Sequence, residues 1–105
     1  MKLWLDDTRP LPPDFDFHAR SVESAQMMIL SAEELGDPIE LLSLDHDLGF
    51  YAKYGGDGIK LLDWLVERET FYPVELHTAN PVGKENMQRL INRYWPKEEE
   101  RKIIL

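Results

Sequence analysis

The sequence predicts an α/β fold, a parallel sheet covered by helices on both faces in three layers. Three observations carry that reading. Short apolar runs alternate with longer segments whose apolar residues recur at helical spacing. The hydrophobic share is 43%, with three Trp, four Tyr and four Phe, enough for a real core. The 105 residues suit one domain spanning 1–105, without repeats or low-complexity tracts.

The elements follow in order. "KLWL" (Lys2 to Leu5) is a short apolar strand, and "FHA" (Phe17 to Ala19) a weaker one. Between them, "RPLPPDFD" (Arg9 to Asp16) holds three prolines and reads as an ordered loop that makes the crossover without a helix. Ser21 is the N-cap of a helix through about Leu35, with Gly36 as its stop. Val22, Ala25, Ile29 and Ala32 form its apolar stripe. "IELLSL" (Ile39 to Leu44) is the third strand. "YGGDG" (Tyr54 to Gly58) lacks the Gly-Lys-Ser/Thr ending of a phosphate loop and reads as a flexible entry to a helix, with Asp57 as cap. That helix runs from Asp57 to Glu69, with Ile59, Leu62, Leu65 and Val66 on one stripe. "VELHT" (Val74 to Thr78) is the fourth strand. Asn80-Pro81 starts a helix to Tyr94, with Met87, Leu90, Ile91 and Tyr94 in register. "PKEEERK" (Pro96 to Lys102) is a solvated charged turn, and "KIIL" (Lys102 to Leu105) a fifth strand with no helix after it.

Composition excludes several functions. No cysteine means no disulfide framework, thiolate zinc site or cysteine nucleophile. No apolar run suits a bilayer span and no signal-peptide pattern begins the chain, so the expected location is the cytoplasm. Twelve basic against twenty acidic residues give a formal charge of −8, which repels phosphate backbones and argues against a non-specific nucleic-acid clamp.

Parallel sheets place their sites beyond the carboxyl ends of the strands. Asp6 and Asp7 follow the first strand, Asp45 and Asp47 the third, and His77, Thr78 and Asn80 stand at the end of the fourth. Neighbouring strands would gather all seven at one rim. Two like charges about 4 Å apart repel by about 4 kcal/mol at an effective dielectric of about 20, so converging acids need a cation, protons or strong hydrogen bonds. Mg²⁺ suits carboxylate oxygens and keeps waters free for a phosphate. Otherwise such acids are caps and turn-formers. Arg9 can grip a phosphate oxygen or order the proline-rich loop by an ion pair. His77 can move a proton or stabilise a phosphate, or be packed and bonded to backbone. His46 lies out of phase with Asp45 and Asp47 and should point away from them if the strand continues that far; a structural role is expected. Asn80 is a cap, and the helix end behind it also offers amides to an anion.

"LWLDDTRPLP", "LSLDHDLG", "GGDG" and "LHTANPVGKENM", in this order, resemble the cyclic-phosphate-processing receiver-like domain over nearly the whole chain. The resemblance implies a flavodoxin-like sheet of order 2-1-3-4-5 and an activity on cyclic phosphates of nucleotides or RNA ends. It implies a site of Asp6, Asp7, Arg9, Asp45, Asp47, His77 and Asn80. Ordinary receivers are similar in their acid pair after the first strand and an acid after the third, which would make Asp45 a phosphoryl acceptor. They also carry a lysine at the end of the fifth strand, whereas Lys102 stands at the beginning of that strand here. The proline-rich loop stands where a receiver has its first helix, and the last helix is absent.

Three functions follow as expectations. In the first, a divalent ion, Mg²⁺ or Mn²⁺, on Asp6, Asp7 and Asp45 serves a phosphoesterase, with His77 or Asp47 as acid or base and Arg9 and Asn80 balancing charge. In the second, the chain is an atypical receiver phosphorylated on Asp45. In the third, it binds a cyclic nucleotide without turnover.

Overall fold

A computed structural model describes residues 1–97 of the chain. The chain order is β1 (Lys2–Leu5), β2 (Phe17–Ala19), α1 (Val22–Leu35), β3 (Leu41–Leu44), a 3-10 helix (Gly49–Lys53), α2 (Ile59–Arg68), β4 (Val74–Leu76) and α3 (Pro81–Tyr94). The four strands form one parallel sheet in the order β2-β1-β3-β4. The predicted fifth strand at Lys102–Leu105 lies outside the described residues. Among the described residues no helix is long and apolar enough to cross a membrane.

Local chemistry sets the helix ends. The Ser21 hydroxyl accepts from Ser24 N at 3.1 Å, and Gly36 closes α1 in the left-handed region at φ +70°. Asn80 Oδ1 accepts from Gly83 N at 3.0 Å, with Pro81 beginning α3. Asp57 does not cap α2. That helix begins at Ile59 behind Gly58, and Asp57 Oδ1 instead accepts from Leu48 N at 3.1 Å. Nor is Tyr54–Gly58 a loose entry: Tyr54 O accepts from Glu23 N at 3.1 Å, and Gly58 N donates to His46 O at 2.7 Å.

The register sorts the strand residues onto two faces. Leu3, Leu5, Leu42 and Leu44 share one face with Phe17, Ala19, Val74 and Leu76. The leucines and Ala19 join Val22, Ala25, Ile29, Leu61, Leu62, Leu65 and Met87 in a single core. α1 packs on α2 and α2 on α3, so all three helices lie on this face. The second face carries Lys2, Trp4, His18, Leu41, Ser43 and Glu75, and Phe15 of the proline-rich loop packs edge-on against Trp4. The expected three layers are therefore two among the described residues. Handedness explains the difference. Right-handed crossovers travelling in opposite directions along a sheet lie on opposite faces. The step from β1 to β2 runs opposite to the later ones, and its connection, residues 6–16, has no helix.

β3 begins two residues later than expected, at Leu41, and β4 ends at Leu76 opposite Leu44. The sheet's hydrogen bonds nevertheless run one residue further at the carboxyl ends. Asp6 N donates to Ala19 O at 3.0 Å, Asp45 N to Leu5 O at 2.9 Å and His77 N to Leu44 O at 3.0 Å. These three bonds fix the backbone from which the rim side chains project.

Candidate functional site

The strand ends bring Asp6, Asp7 and Asp45 together, each offering a carboxylate oxygen within 4.8 Å of the others. Above them opens a basin of about 400 Å³ lined by Asp7, Thr8, Arg9, Asp45, Asp47, Gly49, Thr78, Ala79 and Asn80. Other grooves of 400 and 620 Å³ lie between β4 and α3 and among the helices, but neither contains a group of converging acids. Chemistry rather than size selects the rim.

Asp6 is fully buried, and its carboxylate collects four close N–H donors. Thr8 N and Arg9 N reach Oδ1 at 2.9 and 2.8 Å, and Arg9 Nη1 and His77 Nε2 reach Oδ2 at 3.0 and 2.9 Å. An ionised carboxylate has about four acceptor sites, so Asp6 is saturated. Burial pushes its pKa up, but the bonds from Arg9, Thr8 and His77 outweigh burial and hold it below the ordinary carboxylate value. The segment is pinned further by His18 Nε2, which donates to Asp6 O at 2.9 Å, and by Arg20 Nη1, which donates to Asp7 O at 2.8 Å.

Arg9 spans two acids, standing 3.0 Å from Asp6 Oδ2 and 3.7 Å from Asp45 Oδ2, with its side chain 43% exposed. The guanidinium thus meets the cluster's demand for positive charge. The Asp7 carboxylate makes no hydrogen bond or ion pair among the described residues. Its Oδ2 lies 2.8 Å from where a Cβ on Gly49 would stand, so only glycine leaves that approach open.

His77 turns inward to the second face. Nδ1 lies 2.8 Å from Ser43 Oγ, Nε2 reaches Asp6, and the ring stacks on Trp4 at 3.8 Å between centroids and 2° between planes. Burial pushes the His77 pKa down, and the attraction of Asp6 only partly restores it.

Asp47 lies across the basin, where Asn80 Nδ2 donates to both of its oxygens at 3.2 Å. Asn80 therefore caps α3 and clamps Asp47 together. His46 would point away from the acids only if β3 continued that far, and it does not. The strand ends at Leu44, alternation stops there, and His46 Nδ1 lies 2.7 Å from Asp47 Oδ1. The bonds from His46 and Asn80 hold the Asp47 pKa below its ordinary value. His46, Asp47 and Asp57 also bring one ligand atom each within 4.8 Å, but these acids already accept from His46, Asn80 and Leu48.

Of the seven rim residues foreseen from the strand ends, Asp7, Asp45, Asp47, Thr78 and Asn80 line the basin, whereas Asp6 is buried and His77 turns inward to bond it. Sequence reasoning missed Ser43, Trp4 and three glycines. A lone serine inside "LLSL" was the available signal, since a buried hydroxyl needs a partner. Gly58 packs its α-carbon on the Asp45 carbonyl and Gly83 on the His46 ring, contacts invisible before the chain is folded.

Comparison with protein families matches residues 1–93 to the cyclic-phosphate processing receiver domain. No match was found among curated proteins or among solved structures. Because the family match runs through all four strands and nearly to the end of α3, the chain belongs to the cyclic-phosphate processing receiver domain family.

Proposed function

We propose that the chain is a divalent-metal-dependent phosphoesterase that opens cyclic phosphates of nucleotides or RNA ends. One observation carries the reading: Asp7 and Asp45 line an open basin with the buried Asp6 carboxylate within reach of both, and Asp47 is separately clamped across it. The donor set fits Mg²⁺ or Mn²⁺, since it consists of hard oxygens and the chain has no thiol. Among the described residues Asp7 has free lone pairs, and Asp45 Oδ1 accepts only from its neighbour His46 N, at 2.8 Å. Asp6 joins them when Arg9 releases Oδ2, a movement open to a side chain as exposed as this one. A metal bound there would polarise a phosphoryl oxygen and lower the pKa of a coordinated water.

The remaining roles belong to the chain's own residues. Arg9, once released, grips a non-bridging phosphate oxygen and balances charge developing there. Asp47, ionised at neutral pH and facing the basin, accepts a proton from the attacking water. The water oxygen bonds to phosphorus, one ring P–O bond breaks, and the proton passes to the leaving sugar oxygen. Asn80 and His46 hold Asp47 in place. His77 has both ring nitrogens engaged inside the protein, which suits it to holding Asp6 rather than to exchanging protons with substrate.

Incubation with 2′,3′-cyclic nucleotides and Mg²⁺ or Mn²⁺ should give ring-opened monophosphates, and Asp45→Asn should abolish the product. Full activity in Asp45→Asn, or no turnover of any cyclic phosphate with either metal, would contradict the reading. A stable phosphoryl adduct on Asp45 after treatment with acetyl phosphate would support the receiver alternative instead.

A further inference from the structure

Ser43 sits in the middle of the apolar strand β3, with its side chain on the face away from the helices, and is fully buried. The rim chemistry described above has no use for it. Its hydroxyl lies 2.8 Å from His77 Nδ1, and the other ring nitrogen lies 2.9 Å from Asp6 Oδ2.

Asp6 receives two backbone N–H groups and a guanidinium N–H, all suited to an ionised carboxylate. An ionised carboxylate only accepts, so Nε2 carries the proton that bridges His77 and Asp6. In the neutral ring Nδ1 is then bare, and the Ser43 hydroxyl donates to it. A 180° flip about χ2 would leave the ring flat against Trp4 but would set carbon atoms opposite Ser43 and Asp6, so the two hydrogen bonds fix its orientation. A serine, a histidine and an aspartate in sequence invite comparison with a hydrolytic triad, but this one cannot work that way. In a triad the serine faces Nε2 and the acid Nδ1, and the serine is open to substrate. Here the nitrogens are exchanged and the serine is closed off.

We propose that Ser43 is a positioning residue that holds His77 as an Nε2–H donor and through it fixes the Asp6 carboxylate beneath the acidic cluster. His77 occupies one lone pair of Asp6 Oδ2, so the pair released by Arg9 is the one that faced the guanidinium nitrogen shared with Asp45. This rests on the metal-dependent reading above for its consequence at the site, but the state of the ring stands by itself. A partner that orients a ligand from behind typically supports about 10–100-fold in metal affinity.

The test uses the full chain, with nitrogen NMR of the His77 ring and Mn²⁺ titration as separate readouts. Wild type should show a protonated Nε2 and a bare, hydrogen-bonded Nδ1. Ser43→Ala should shift the Nδ1 resonance toward that of a bare nitrogen without a donor and weaken Mn²⁺ binding about 10-fold or more. Ser43→Thr, which keeps the hydroxyl, should restore both. A wild-type ring protonated on Nδ1, or a folded Ser43→Ala variant with unchanged ring shifts, overturns the proposal. Altered shifts with unchanged Mn²⁺ affinity overturn the link from Ser43 to the site. If wild type binds no Mn²⁺, the metal-dependent reading fails, and the ring measurement still decides what Ser43 does.

Discussion

Alanine at Gly58 is the sharpest perturbation of the rim that leaves every polar side chain in place. Gly58 is not there for an unusual backbone angle, since its φ is −53° and its ψ −30°. It is there because a Cβ would stand 1.9 Å from the Asp45 carbonyl oxygen and 3.0 Å from the carbonyl carbon. A relaxed carbon–oxygen contact is at least about 3.3 Å, so the start of α2 and the end of β3 must part by about 1.4 Å. Overpacking of this kind costs about 1–3 kcal/mol. The same movement breaks the 2.7 Å bond from Gly58 N to His46 O, a further loss of about 1 kcal/mol. The total of about 2–4 kcal/mol is a large part of a typical stability of about 5–15 kcal/mol. At about 4–8 °C per kcal/mol for a chain of this size, Tm should fall by about 8–32 °C. Gly36→Ala is the control, because a Cβ there meets nothing within 4 Å and the variant suffers only from φ +70°. Thermal unfolding followed by circular dichroism measures both. A Gly58→Ala variant no less stable than Gly36→Ala would refute the close packing of α2 on the Asp45 backbone.

Other perturbations separate the roles of neighbouring groups. Arg9→Gln should bind Mn²⁺ severalfold more tightly, because a competing cation is gone, yet turn over cyclic phosphate more slowly; unchanged affinity in titration would show that Arg9 does not occupy the cation's place. Gly83→Ala would put a Cβ 2.5 Å from His46 Cγ, so His46 should leave Asp47 and kcat should fall with the fold retained; an unmoved His46 ring in the variant's NMR spectrum would contradict this. Stability should also fall in acid through two groups. The His77 pKa is lowered by folding, so the unfolded chain takes up a proton first, and stability declines as pH falls below the unfolded value of about 6.5. The Asp6 pKa is also lowered, so its contribution is present above the unfolded value of about 3.9 and is lost as pH falls through the folded one. Urea unfolding over a pH series should show the upper decline vanish in His77→Gln; a decline that persists unchanged would exclude His77 as its source.

Much of this arrangement was legible in the sequence because it depends on local rules. Ser21 and Gly36 bound α1, and Asn80-Pro81 opens α3, as side-chain and backbone preferences dictate. The rim acids were found by one topological rule, that parallel strands present their sites at their carboxyl ends. What escaped depended on distance through space. Strand and helix alternation suggested cover on both faces, although the helix-free crossover between β1 and β2 already leaves the second face without a helix of its own. Asp57 has the right chemistry for a cap and the right place in sequence, but Leu48 N, nine residues earlier, claims its oxygen first. His46 was assigned by strand alternation to a point where the strand had already ended. Gly58 and Gly83 look like turn residues until the carbonyl and the ring they press against are in view.

The most direct measurement is a crystal structure of the protein grown or soaked with Mn²⁺, with anomalous scattering recorded at a wavelength where manganese dominates. One strong peak should lie among the carboxylates of Asp6, Asp7 and Asp45, with the Arg9 guanidinium withdrawn from Asp6. An ordered rim without that peak, or with Arg9 still bridging Asp6 and Asp45 at saturating Mn²⁺, would contradict the metal site on which the proposed hydrolysis depends.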